Sequence, residues 1–81
     1  PMNEVITLKY PVTVNGQQME QLTMRRPKVK DTLAANKAKG SDADREITLF
    51  ANLCEQTPHT IEELDMADYQ QLQERYTSFL S

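Results

Sequence analysis

Two runs of β-branched and long apolar residues flank the pair Asn15-Gly16, and that pair constrains the chain more than any other feature. Asparagine and glycine tolerate the positive φ angles of a type I′ turn, whose twist matches that of two paired strands. The segment before it, Val5 to Val14, alternates Ile6, Leu8, Tyr10, Val12 and Val14 onto one face, and Gln17 to Arg25 forms the return strand. A two-residue loop pairs Val14 with Gln17 and Val12 with Met19, but it also sets Leu8 opposite Thr23 and turns Leu22 and Met24 away from the apolar face. One extra residue is therefore expected, as a β-bulge near Pro11, which has no N–H to give to a ladder, or near Glu20-Gln21.

After Arg25-Arg26-Pro27 the periodicity changes from strand to helix. Residues 28–39 predict a first helix with Val29, Leu33 and either Ala34 or Ala38 as a narrow inward stripe and Gly40 as its left-handed C-cap. Ser41 with Asp44 three positions on predicts the capped start of a second helix, whose apolar positions Ala43, Ile47, Phe50, Ala51 and Cys54, with Leu49 and Leu53 beside them, run until Thr57-Pro58. Thr60 and Glu63 have the spacing of a capping box for a short helix containing Ile61 and Leu64. Asp65 caps a last helix from Met66 to Leu80, with Tyr69, Leu72, Tyr76, Phe79 and Leu80 along one face. The fold class is α+β, an N-terminal β-hairpin over residues 5–25 followed by three to four helices over residues 28–80.

With 81 residues the chain is a single domain, residues 1–81, because two halves would each be too small to bury a core. Only 38% of the residues are hydrophobic, so the core is thin and association with a partner or another copy is expected. Charge is divided unevenly. Residues 1–40 hold seven Lys and Arg against three Asp and Glu, a net +4, whereas residues 41–81 hold two against nine, a net −7. Such polarity suits a charged partner or the acidic half of one copy meeting the basic half of another.

Chemistry-bearing clusters are sparse. One cysteine, Cys54, forms no intramolecular disulfide, and with one histidine, His59, it gives no set of metal ligands. Cys54 on a helix face reads as a small buried hydrophobe rather than a nucleophile, and His59 as a loop residue. The two glycines, Gly16 and Gly40, form no phosphate loop, and Glu62, Glu63, Asp65 and Asp68 suit helix capping better than an EF-hand. No catalytic residue, cofactor site or metal site is expected, and the chain is read as no enzyme. No apolar run approaches the ~20 residues of a membrane span. Lys9 and Pro11 interrupt the first apolar stretch, which argues against a secretory signal.

The basic segment Arg25, Arg26, Lys28 and Lys30 is the one patch suited to phosphates. A nucleic-acid-binding regulator is thus the alternative function, although the pI of about 5.0 and the lack of interleaved aromatics stand against it. Lys28 and Lys30 as solvated charges, with Arg25 paired across the hairpin to Glu4, is the structural alternative for the same residues.

Three segments taken together carry a resemblance: Thr7-Leu8-Lys9-Tyr10-Pro11, Leu22-Thr23-Met24-Arg25-Arg26-Pro27 and Leu64-Asp65-Met66-Ala67-Asp68. In this order and spacing they resemble the phage tail assembly chaperone family, in particular the small tail proteins of Mu-like phages and prophages. The loop Cys54-Glu55-Gln56-Thr57-Pro58 departs from it, since a glycine is expected there. The resemblance implies a non-enzymatic assembly factor in the host cytoplasm. Such a factor binds the long helical tape measure protein, keeps it soluble until tube subunits polymerise around it, and is absent from the finished virion. Further partners implied are other copies of the chain and a longer form made by translational frameshifting. The apolar residues that hold the helical part together and offer a face to the client are read as Leu49, Phe50, Leu53, Tyr69, Leu72, Tyr76 and Phe79. A tail subunit retained in the virion is a third reading.

Overall fold

The computed structural model describes residues 3–81; Pro1 and Met2, which the sequence reading placed in the same domain, lie outside the described residues. Strands β1 (Asn3–Val14) and β2 (Gln17–Arg25) form an antiparallel two-stranded sheet. They turn through Asn15 at φ 52° and Gly16 at φ 78°, both in the left-handed region that this pair tolerates. Val14 pairs with Gln17 and Val12 with Met19, but Thr7 pairs with Gln21 and Ile6 with Leu22. Leu8, Lys9, Tyr10 and Pro11 therefore lie opposite Glu20 alone, three extra residues where the sequence pattern called for one. Any odd number restores the face. Ile6, Leu8, Leu22 and Met24 are all buried together. Tyr10, expected on that face, is exposed instead because it sits inside the irregular stretch and is released from the alternation.

Four helices follow: α1 (Val29–Asn36), α2 (Asp42–Cys54), α3 (Pro58–Glu62) and α4 (Met66–Phe79). Helix α1 is shorter than expected and is turned the other way. Its expected inward residues Val29 and Leu33 are 80% and 60% exposed and Ala34 is exposed, while Asp31 and Ala35 are buried and Ala38 is half-buried. The cause is electrostatic. Arg25 grips both oxygens of Asp31, at 2.7 and 2.9 Å, and the Lys28 amide donates to the same carboxylate at 2.8 Å, so α1 must present its acidic residue to the end of β2.

Gly40 does not cap α1, whose C-cap is Lys37 in the right-handed region. At φ 111° it instead leaves room for the Asp44 carboxylate, into which a β-carbon would run. That carboxylate accepts the Ser41 amide at 2.8 Å, and the Ser41 hydroxyl accepts the Asp44 amide at 3.3 Å, so α2 starts with the predicted capping box. Helix α2 ends at Glu55, which occupies the left-handed region, φ 56° and ψ 44°, where glycine is the usual residue. Helix α3 begins three residues earlier than the Thr60 box implied. Thr57 is its N-cap, accepting the Thr60 amide at 3.3 Å with Pro58 in the first turn, and Thr60 itself is buried. The Asp65 side chain caps α4 through the Ala67 amide at 2.9 Å, and Leu80, past the last helical turn, is exposed rather than on the inner face.

Helix α4 runs beside β1 and bonds to it where a third strand would pair. Asp68, Gln71 and Arg75 share one face at i, i+3 and i+7. The Asp68 carboxylate accepts the amides of Lys9 at 2.8 Å and Tyr10 at 3.0 Å, inside the bulge, and the Gln71 amide group at 2.8 Å. Gln71 also donates to the Thr7 carbonyl at 3.0 Å, while Arg75 donates to the Val5 carbonyl at 3.4 Å and to Glu4 at 2.7 Å. Glu4 is thus the partner of Arg75, not of Arg25. Side chains of α4 cover a strand edge that would otherwise be open to pairing. The apolar core lies between the hairpin face of Ile6, Leu8, Leu22 and Met24 and the helical residues Phe50, Leu53, Ile61, Leu72 and Phe79.

Burial of Asp68 raises its pKa, but the amides of Lys9 and Tyr10 and the Gln71 side chain lower it further, and the net result lies below the ordinary value. Its stabilisation is therefore complete above the unfolded value of about 3.9 and fades as pH falls through the lower folded value. Asp68→Ala should lower stability by about 2–3 kcal/mol, and Asp68→Asn by less, since it keeps one acceptor. Urea titrations across pH 2–6 should show a flatter acid limb in Asp68→Asn than in the parent. Glu55→Gly should add about 1 kcal/mol by relieving the left-handed side chain, read by the same titration at neutral pH.

Candidate interaction surface

The residues best suited to covalent chemistry are not set up for it. Burial pushes the Cys54 thiol up to about 11, so it is not a thiolate at neutral pH, and His59 is an exposed residue of α3. Among the described residues no three His, Cys, Asp or Glu side chains gather as metal ligands.

The basic segment is half consumed by the fold. Arg25 is held by Asp31, whose pKa its hydrogen bonds bring below the ordinary carboxylate value against the opposing effect of burial. The Arg26 guanidinium lies 5.8 Å from the centre of the Phe79 ring, a cation–π distance. Lys28 and Lys30 are exposed, and with Asn3 and Pro27 the four cations line a shallow recess at the end of the sheet.

Of the seven apolar residues singled out on the helices, Phe50, Leu53, Leu72 and Phe79 are buried in the core. Leu49, Tyr69 and Tyr76 are half-buried and packed against it. The Phe50 ring is tilted against Tyr69 at 5.6 Å and against Tyr76 at 5.8 Å, joining α2 to α4 through aromatic contacts. The Tyr69 hydroxyl donates to Glu46 at 2.5 Å, and Gln73 donates to the same oxygen at 3.0 Å. Burial and the Glu46 charge hold the Tyr69 phenol well above its ordinary pKa, so it stays a donor. Beside these tyrosines a polar groove runs along α4, lined by Gln70, Gln73, Glu74 and Thr77.

Two apolar features escaped the sequence reading. One is the outward ridge of Val29 and Leu33 on α1. The other is a small apolar groove between α2, α3 and α4, lined by Ile47, Ile61, Leu64, Met66 and Tyr69 with Glu62 at its side. Met66, 69% exposed, stands at its open edge. The i, i+4 spacing of Val29 and Leu33 was visible in the sequence, but periodicity gives a stripe and not the direction it faces.

In a comparison with known families, the family model described as phage tail assembly chaperone proteins, E, or 41 or 14, matches residues 5–81. No curated protein and no solved structure matches the chain. Polar contacts join two of the three segments that carry the resemblance and tie the other to α1. Asp68 of the third holds the amides of Lys9 and Tyr10 in the first, and Arg25 of the second fixes α1.

If Arg25 serves the fold, Arg25→Ala should lower stability by about 2 kcal/mol by leaving Asp31 buried and unpaired. Lys28→Ala and Lys30→Ala should stay within about 0.5 kcal/mol. Urea denaturation of the three variants separates these outcomes.

Proposed function

The chain belongs to the phage tail assembly chaperone family, and from that premise we propose that its client is the tape measure protein, which it keeps soluble until the tail tube closes around it. The family match over residues 5–81 carries this reading, and the distribution of side chains supports it. A helical client needs an apolar stripe to lie against, with polar groups flanking it. Leu49, Tyr69 and Tyr76 are the proposed contact residues, with Phe50, Leu53, Leu72 and Phe79 as the packed layer beneath that fixes their positions.

The chaperone acts in the host cell during assembly and leaves before the virion is complete; a longer, frameshifted form of the same chain shares the client. No helix among the described residues is long and apolar enough to cross a membrane. A nucleic-acid role gains nothing from the geometry, since Arg25 and Arg26 have partners within the fold.

Co-expression with the tape measure protein tests the proposal. The client should move from the pellet to the soluble fraction and co-purify with this chain, and mass spectrometry of purified virions should find the client without the chaperone. A client no more soluble in its presence contradicts the chaperone reading, and chaperone in stoichiometric amount in the virion makes it a tail subunit.

A further inference from the structure

Helix α1 shows solvent a face that is apolar along its middle and cationic along one side. Val29 and Leu33, a turn apart at i and i+4, are 80% and 60% exposed. At helical spacing Lys30 and Lys37, i and i+7, stand on one side of that pair and the uncharged Thr32 and Asn36 on the other; all four are exposed. The one acidic residue of the helix, Asp31, is buried and held by Arg25. Among the described residues every ion pair is made by an arginine, Arg25, Arg45 or Arg75, so the lysines of α1 and its flanks have no carboxylate of their own. Lys30 also lines the recess at the end of the sheet with Arg26 and Lys28, and the positive surface thus continues from the recess along α1.

An exposed apolar pair beside a row of cations selects a partner on two counts. A nucleic acid would set its phosphates against Val29 and Leu33 and would find no aromatic side chain on α1 to stack a base. A bilayer surface calls for a broad apolar face, which two side chains on an eight-residue helix do not supply. A second copy of this chain has no matching stripe among the described residues: the other large apolar side chains left exposed are Val5 and Tyr10 on β1 and Met66 and Leu80 at opposite ends of α4. We infer that the outer face of α1 is a docking surface for an acidic amphipathic helix of another protein, its apolar stripe on Val29 and Leu33 and its carboxylates along Lys30 and Lys37. Those carboxylates stand two turns apart on the partner, about 10 Å, to match the lysines. The Arg25–Asp31 fork already holds this face outward, so α1 need not reorder to bind. The contact is small and partly electrostatic, and it weakens with salt. It lies on a different element from Leu49, Tyr69 and Tyr76, and the inference stands whether or not the tape measure protein is the client.

A labelled synthetic helix of about 18 residues, with leucine at every third or fourth position and glutamate along one side of that stripe, is the probe. Fluorescence anisotropy with the full chain should show saturable binding that weakens between about 50 mM and about 500 mM salt. Val29→Ser with Leu33→Ser should weaken it about tenfold, and so should Lys30→Glu with Lys37→Glu. All four positions are exposed, and circular dichroism melts of both double variants should match the parent. The charge-reversed variant should in turn bind a probe with lysine in place of glutamate, which the parent rejects; a merely damaged fold would not gain that partner. The inference fails if the parent does not bind the glutamate probe, if either double variant binds it as the parent does, or if the lysine probe does not bind the charge-reversed variant. Equal binding of a glutamate probe without leucines, of duplex DNA or of phosphatidylglycerol vesicles also overturns it, since charge alone would then explain the surface. Sedimentation velocity supplies the remaining outcome: a parent that self-associates and loses this in the Val29→Ser, Leu33→Ser variant assigns the face to a second copy and contradicts the inference.

Discussion

One buried carboxylate joins the two ends of this fold. Asp68, fully buried in the first turn of α4, accepts adjacent amides from Lys9 and Tyr10, nearly sixty residues away in sequence. The bulge in β1 turns those amides out of the ladder, and without an acceptor they would have only water. A carboxylate in the first turn of a helix is already favoured by the helix dipole, and three donors converge on this one. Its consequences reach the core. The bulge it stabilises puts Ile6 and Leu8 on the same face as Leu22 and Met24, and the helix it anchors carries Leu72 and Phe79 into contact with that face.

A second polar contact decides what the molecule shows to partners. The fork from Arg25 to Asp31 orients α1 against its hydrophobic preference and leaves Val29 and Leu33 in solvent. Inverting a short helix this way exposes apolar surface, a cost that a thin core cannot easily bear unless something covers it in use. In a member of a tail assembly chaperone family, an uncovered ridge beside four lysines is a usable feature. The same contact removes Arg25 from the basic segment, so the patch that looked most like a phosphate site is partly a structural fitting.

The sequence revealed local geometry better than direction. Asn15-Gly16, the Ser41/Asp44 box and the Asp65 cap are dictated by residues within a few positions of one another, and the structure contains all three. The bulge was visible as a conflict of parity, but parity shows only that an odd number of residues is added, and the real number depends on Asp68, far away in the chain. The left-handed end of α2 fell on Glu55, where the chain has no glycine to announce it. Apolar periodicity located stripes on α1 and α4 alike. Only on α4 did the stripe turn inward, because α1 answers to an ion pair that no window of periodicity includes. The groove of Ile47, Ile61, Leu64 and Met66 is assembled from three helices and has no linear signature.

If the Asp68 contact is the constraint on which the rest depends, the amides it binds must be as closed to solvent exchange as the regular ladder. Native-state hydrogen exchange resolved at single amides measures this directly. The Lys9 and Tyr10 amides, although they lie in a bulge and belong to exposed residues, should exchange as slowly as those of Ile6 and Leu22 in the paired part of the hairpin. Exchange at the rate of an open loop, with the paired residues still protected, would show that Asp68 does not hold the strand and would contradict the account.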